Sequence, residues 1–525
     1  MNVVLCFVVS ALLALGVFEA GLRVLGKGPT PSINQFDPVT GWSKTPLAQA
    51  ERQTGEFHVH YAINALGLRD DPMTSPAKPA GSTRVLVLGD SFVLGYTVER
   101  ADLFVDQLEN WWQAEGRRVD VVNAGTEGWS TDQEVAWFET YGAAFEPDVV
   151  VLCPYENDLY WNSQTYYRRF PKPRYTPFGD RERAVLTDPG PRRWYESTAI
   201  GATWTAMQDR PLTWTLDGKA RLNMEHAAYF LSPPEFMKEA IARTRGALVA
   251  LKAACAARGA KLVMAPIPAK VSVDPRAREY LSEALNPRSF TQRLQIWRDW
   301  PVIDPASWSP DQPVETFLAL AKDVGIHAVD ARPYLREKFK DGRPLYFQSD
   351  WHLNPHGNRA FAEFLHDEID RAQLLPAATI QAAMPREIVE PPRSAALYWF
   401  GGLWLALSAL YAFTYRDTPW WKAMLGVGAL LGLVFGIVLG GGALLKLMPA
   451  KYSTALLVLG VLALFGFIAY KLGRRITTTL ELLRAFTLRG HWYLLPLVVI
   501  LLTIGSLLVV AASSPLIAPF IYTLF

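Results

Sequence analysis

The chain is poor in the residues that hold small or metal-stapled proteins together. Its 525 residues include three cysteines, at positions 6, 153 and 255. No spacing pairs them, and a disulfide framework needs a dense, even set. There is no Cys-x-x-Cys and no glycine-rich phosphate cradle, so no metal, cofactor or nucleotide site is legible. Glycine and proline, 37 of each, stand near average usage, which excludes collagen-like or low-complexity sequence. Charge of one sign is also scarce, at a net +2. Residues 27–393 are mildly acidic, with 47 acids against 42 bases. A nucleic-acid binder needs a basic face for the phosphates, so that class is excluded.

Apolar sequence is abundant, at half of all residues. Residues 3–18 form an unbroken apolar run that continues, interrupted by Glu19 and Arg23, to Leu25. A cleaved signal peptide needs a basic leader and a small-x-small site. No Lys or Arg precedes the run and no clean cleavage site follows Phe18, so residues 1–26 are expected to be an uncleaved transmembrane anchor. Four further runs, 397–413, 423–445, 455–470 and 492–512, carry no internal charge, and Trp and Tyr cluster near their ends. They predict a C-terminal membrane module of about four spans over residues 394–525. The glycines between 426 and 442 would let its helices approach closely. Lys471, Arg474, Arg475, Arg484 and Arg489 crowd one connection, which the positive-inside rule puts in the cytoplasm. Counting back places 27–393 outside, which in a bacterium means a periplasmic domain on the inner membrane.

Within 27–393, short apolar runs at 84–88, 120–123, 148–153 and 261–267 alternate with helical patterns at 102–115, 131–142, 235–257 and 314–324, and a last helix is expected at 358–370. Strands apolar on both faces, alternating with helices, predict a parallel sheet sandwiched by helices. Residues 30–46 and 71–80, rich in Pro, Thr and Ser, read as loops.

Reactive groups of such a sheet gather beyond the carboxyl ends of its strands. Four clusters fall there. Gly89-Asp90-Ser91 follows the first run; its plain reading is a helix cap. Asn123-Ala124-Gly125-Thr126-Glu127-Gly128 follows the second, and a glycine there lets a backbone N–H face a ligand. Glu156-Asn157-Asp158 follows the third. Ser349-Asp350-Trp351-His352-Leu353-Asn354-Pro355 precedes the last helix and supplies an acid and an imidazole together.

The order Ser, Gly, Asn, Asp-x-His resembles the SGNH (GDSL) hydrolase superfamily. Residues 63–70 (INALGLRD), 130–133 (STDQ) and 266–268 (PIP) are similar to motifs of a membrane-associated bacterial branch. The resemblance covers about residues 30–372 and implies a three-layer α/β/α flavodoxin-like domain. It implies Ser91 as nucleophile, His352 as general base and acid, and Asp350 as the residue that orients the imidazole. It implies an oxyanion hole of the Ser91 N–H, the Gly128 N–H and the Asn157 amide. Gly128 fits the second block better, with Gly125 the alternative; His356 is an alternative base. Two departures stand out. One residue rather than two separates Asp350 from His352, a spacing similar to that of alginate and related polysaccharide O-acetyltransferases, and Glu156 replaces the usual glycine before Asn-Asp.

Residues 159–232 interrupt the sheet pattern with an insertion rich in Tyr, Trp and Arg up to Trp214, read either as a lid over a glycan or as a subdomain packing on its own core. His58 and His60 alternate as strand neighbours would and read as surface histidines. Three functions remain open: an esterase that removes an acyl, in particular acetyl, group from an envelope glycan or lipid; an acyltransferase to a sugar hydroxyl through the same site; and a non-catalytic glycan-binding assembly protein. All three imply the membrane as a partner, and the last implies other envelope-biosynthesis proteins. Residues 491–525 faintly resemble small uncharacterised bacterial membrane proteins.

Overall fold

The computed structural model describes residues 15–16, 18–19, 33–54, 56–191, 193–208, 213–216, 220–278, 304–340, 342–348, 350–377, 404–405, 408–409, 419–422, 424–425 and 428. The chain divides into two compact units, Met1–Leu15 with Val389–Leu502 and Gly16–Ile388 with Thr503–Phe525. No described helix is long and apolar enough to cross a membrane. The expected anchor and four-span module fall almost wholly outside the described residues. The few described positions there are mostly helical. Trp404 donates from its indole to the Met424 carbonyl at 2.8 Å, and a Cβ at Gly428 would lie 2.8 Å from the same nitrogen. A small residue there is what allows this close approach.

Two antiparallel hairpins open the larger unit: β1 (Asn34–Asp37) with β2 (Gly41–Lys44), and β3 (Gln49–Gln53) with β4 (His58–Ala62). The loop expected at 30–46 is thus corrected to include a hairpin. Its strands are short and polar, so they lack the apolar alternation that marks a strand.

The main sheet follows, with β5 (Thr83–Gly89), β6 (Val119–Gly125) and β7 (Val149–Cys153). Four short insertion strands come next: β8 (Tyr166–Tyr167), β9 (Phe170–Pro171), β10 (Thr213–Leu216) and β11 (Ala220–Asn223). Then β12 (Lys261–Met264) and β13 (His327–Ala328) complete the sheet. Its order is β13-β12-β7-β5-β6, all parallel. This is the doubly wound order 2-1-3-4-5. Period-two alternation sends Val85 and Val87 to one face and Leu86 and Leu88 to the other. The valines pack with Phe104, Leu108, Phe361 and Leu365 from helices Phe104–Ala114 and Pro355–Arg371. The leucines pack with Val135, Phe138, Leu248 and Phe317 from helices Thr131–Thr140, Glu235–Ala256 and Gln312–Val324. Two cores on one sheet make three layers. One further helix, Arg332–Lys340, was not legible as such, because its sequence is largely charged.

The 63–70 motif sits beneath the turn that follows β5. Arg69 is fully buried and donates to the carbonyls of Leu94 and Val98, both at 3.0 Å, of His60 at 3.1 Å, and of Gly95. Asp70 accepts the Asn123 N–H at 3.0 Å. Arg69→Met keeps the apolar stem but leaves these carbonyls unpaired in the interior. It is expected to destabilise the unit by roughly 3 kcal/mol, read as a lower denaturant midpoint with an unchanged slope.

Candidate active site

β5 ends at Gly89, between β6 and β7, where the connections depart to opposite faces and open a crevice. The short helix Ser91–Leu94 starts there. Asp90 caps it, its carboxylate accepting the Phe92 N–H at 2.9 Å. Burial pushes the Asp90 carboxyl up to about 6, against the Phe92 amide and the charge of His352. Asp90 is thus a local structural group.

The acid and the imidazole reach Ser91 from 261 positions away on a closed loop. Tyr346 and Leu353 form an antiparallel bridge, Phe347 donates to the His352 carbonyl at 3.1 Å, and Asn354 donates to Leu345 at 3.0 Å. Asn354 then caps the last helix through the Gly357 N–H at 2.9 Å. This loop holds His352 Nε2 2.7 Å from Ser91 Oγ and Nδ1 2.5 Å from Asp350 Oδ1. Asp350 also accepts the His352 backbone N–H at 3.1 Å, so a single intervening residue closes the pair in a tight turn. The imidazole packs near the rings of Phe92, 4.5 Å away, and Tyr96, 5.7 Å away. It is His352, not His356, that meets Ser91; His356 lies in the first turn of the helix. Burial alone would raise the Asp350 carboxyl, but the charge and hydrogen bonds of His352, with Arg52, hold it down at about 2.

Three groups brace this loop, and none was singled out from sequence. Glu56 accepts the N–H of Gln348 at 2.8 Å and of Asp350 at 3.0 Å. Arg52 lies 3.9 Å from Asp350 Oδ2 and stacks 3.8 Å over Tyr96. Lys270 donates to the carbonyls of Phe347 at 2.7 Å and Gln348 at 2.8 Å, and the Tyr346 hydroxyl reaches Pro268 at 2.7 Å. The 266–268 motif is therefore a footing for the histidine loop. These contacts span up to 294 positions and join loops without periodicity, so no sequence signal points to them.

Among the described residues, none accepts from the backbone N–H of Ser91, from that of Gly128, or from Nδ2 of Asn157. Gly125 differs: its N–H is taken by Asn123 Oδ1 at 2.9 Å, and a Cβ there would sit 2.2 Å from the Leu94 nitrogen. Gly125 is a packing glycine against the Ser91 turn. Gly128 has φ +74°, and the Tyr167 ring stands over it, so a side chain there would meet both strain and a clash. Its loop is held by the first hairpin. Trp42 donates to the Glu127 carbonyl at 3.2 Å, Trp129 donates to the Trp42 carbonyl at 2.9 Å, and Lys44 pairs with Glu127. The 130–133 block behind it is buried, with Asp132 paired to Lys172 from the insertion.

Glu156 accepts the Tyr229 hydroxyl. Burial, then the nearby Glu225, pushes its carboxyl up to about 8. It is protonated at neutral pH, so the residue that replaces the usual glycine adds no negative charge beside Asn157.

The insertion divides between the two readings offered for it. Tyr160 and Tyr175 are buried in the core, and the Trp161 indole donates to Glu225 at 2.6 Å. Trp194 and Trp204 are exposed, and the Glu19 carboxylate accepts the first N–H groups of helix Ala199–Gln208 at 2.8 and 2.9 Å. Arg192 and the Trp214 side chain lie outside the described residues.

Residues 226–397 match a family described as SGNH hydrolase-like domain, acetyltransferase AlgX. Residues 477–525 match a family of unknown function. No curated protein sequence matches the chain. Among solved structures, the chain is similar to the psychrotrophic esterase EstA from a Pseudoalteromonas species, with 12% identity, 56% of this chain and 99% of that one covered, and a TM-score of 0.29. It is similar at 13% identity to the acetylxylan esterase Axe2 from Geobacillus stearothermophilus, with coverage of 56% and 96% and a TM-score of 0.29. Neither identity nor score at that level bears on activity.

Proposed function

We propose, from the premise that this chain carries an SGNH hydrolase-like domain that acts on ester bonds, that the protein is a membrane-anchored serine esterase of the periplasmic face. Its substrate on this reading is an acyl, in particular acetyl, ester of an envelope glycan or lipid. The observation that carries the chemistry is the continuous relay from Ser91 Oγ through His352 to Asp350; the N–H groups of Ser91, Gly128 and the Asn157 amide, without an acceptor among the described residues, are the donors offered for the oxyanion.

In the first step Ser91 Oγ attacks the acyl carbonyl carbon and its proton passes to His352 Nε2. The negative charge on the carbonyl oxygen is met by the N–H groups of Ser91, Gly128 and Asn157. The ester C–O bond then breaks and the imidazolium returns the proton to the leaving alkoxide. Water gives a proton to His352, attacks the acyl-enzyme, and releases the acid with Ser91 restored. Asn157→Ala is expected to lower kcat for an aryl acetate by roughly 100- to 1000-fold with little change in KM. Unchanged kcat would remove Asn157 from the oxyanion hole.

The matched family's description and the Asp-x-His spacing favour a second reading, in which a sugar hydroxyl replaces water as acceptor. The two separate in one experiment, acyl release from an aryl acetate by the detergent-solubilised chain with and without an oligosaccharide. Release indifferent to the sugar identifies an esterase; release accelerated by it, with the acyl group recovered on the sugar, identifies a transferase. A purely binding role is disfavoured by the assembled relay, which recognition of a glycan would not require.

A further inference from the structure

The outer face of the second hairpin brings together three donors that the sequence keeps apart. His58 and His60 are two positions apart on β4, so both rings leave the same face, opposite buried Val59. The antiparallel register sets Glu51 of β3 directly across from His60 and diagonal to His58. His58 Nε2 contacts Glu51 Oε1, and His60 Nε2 lies 3.8 Å from the same oxygen. One ligand atom from each residue falls within 4.8 Å of the others. Ligand atoms around a tetrahedral zinc ion with bonds of about 2.0–2.1 Å stand about 3.4 Å apart, so only a small adjustment separates this arrangement from a coordination site.

An independent contact prepares the ring of His60. Glu99 Oε1 lies 2.9 Å from His60 Nδ1 and also accepts the His60 backbone N–H at 2.9 Å. A carboxylate on Nδ1–H puts the proton there and leaves the Nε2 lone pair facing Glu51, the outer-shell arrangement that orients metal-bound imidazoles. A second histidine–carboxylate cluster among the described residues, His366 with Glu115 and Asp370, differs because the Arg117 guanidinium already pairs with both of its acids.

We propose that Glu51, His58 and His60 form a binding site for a divalent d-block cation, Zn2+ foremost, that clips β3 to β4. Two imidazoles and one carboxylate suit that class better than Ca2+ or Mg2+, which take oxygen. The clip has a bearing on the loop of Asp350 and His352. Arg52, next to Glu51 and on the opposite face of β3, approaches Asp350, and Glu56, in the turn between the strands, holds its backbone. A bound cation would fix the hairpin in the register that carries both. The inference does not depend on the ester chemistry.

The test uses the full chain, free of any histidine tag, stripped with a chelator and titrated with Zn2+ in equilibrium dialysis, with Co2+ as a visible probe. One Zn2+ per chain is expected, with ligand-field bands of nitrogen-coordinated Co2+ and a higher thermal midpoint. His58→Ala and His60→Ala should each abolish the stoichiometric site and the bands, while their midpoints in chelator match wild type. Glu99→Gln should weaken binding about 10- to 100-fold. Absence of stoichiometric Zn2+, or a site that survives both histidine substitutions, would overturn the proposal.

Discussion

Ser91→Ala is expected to lower acyl release from an aryl ester by roughly ten-thousand- to a million-fold, with the thermal midpoint nearly unchanged. The size follows from what the hydroxyl does. A serine is a weak nucleophile until a base takes its proton as it attacks. His352 Nε2, 2.7 Å from Oγ, is placed to be that base. Without Oγ no acyl-enzyme forms, and only background attack of water beside the N–H donors remains. The small effect on stability follows from the same geometry. The helix at Ser91 is capped by Asp90 through the Phe92 N–H, and its carboxyl end is held by Arg69; both contacts survive loss of the Ser91 hydroxyl. The check is kcat for both proteins together with intact mass after exposure to a serine-directed phosphonate. An adduct on wild type alone agrees with the assignment; full activity in Ser91→Ala would sink it.

Asp350→Asn is expected to cost roughly a thousand- to ten-thousand-fold in kcat, with KM little altered. The carboxylate accepts from His352 Nδ1 at 2.5 Å, which fixes the proton on Nδ1 and leaves the Nε2 lone pair towards Ser91. An asparagine can donate its own N–H to Nδ1. The ring then carries its proton on Nε2, where it cannot receive one from Ser91. Protein-bound His352 should show this as an exchange of the protonated nitrogen in 15N spectra of labelled histidine. Asp350→Asn with wild-type kcat would return the orienting role to another acid. With its pKa held at about 2, Asp350 is ionised at any ordinary assay pH. The stability contributed by that depressed value is present above pH of about 4 and is lost as pH falls through about 2.

The departures from the resembled pattern are settled by contacts. Asp-x-His is short by one residue, yet Asp350 accepts both the ring and the backbone N–H of His352, so the tighter turn still delivers the carboxylate. Glu156, read from sequence, is a charge on the proposed oxyanion block, but its burial against Tyr229 makes it a neutral acid. Both questions turn on environment, which a string of residues does not carry. The first hairpin reads as a loop, and the alternation of His58 and His60 names no partner strand, for a related reason. The outward positions of both hairpins are polar, and their apolar partners, such as Trp42, Phe57 and Val59, find cover only when the rest of the chain arrives.

What the sequence determined by itself was local and periodic. Runs such as residues 85–88, apolar at every position, must be covered on both sides, which commits them to a central parallel sheet. Gly-Asp-Ser, Asn-Ala-Gly and Glu-Asn-Asp follow such runs, and the short-range chemistry of turns and caps puts them at strand ends. Only the tertiary structure tells Gly125 from Gly128 by their contacts, since the Gly125 N–H is spent on Asn123 and the Gly128 N–H has no acceptor among the described residues. It alone chose His352 over His356, and brought Glu56, Arg52 and Lys270 to the histidine loop. It alone set Glu51 beside His58 and His60, because cross-strand register follows from folding and not from spacing along the chain. The physical reason is common to all four. Which donor is spent, which charge is neutral and which rings face one another depend on desolvation and on contacts between residues far apart in sequence, and those exist only once the two cores have closed on the sheet.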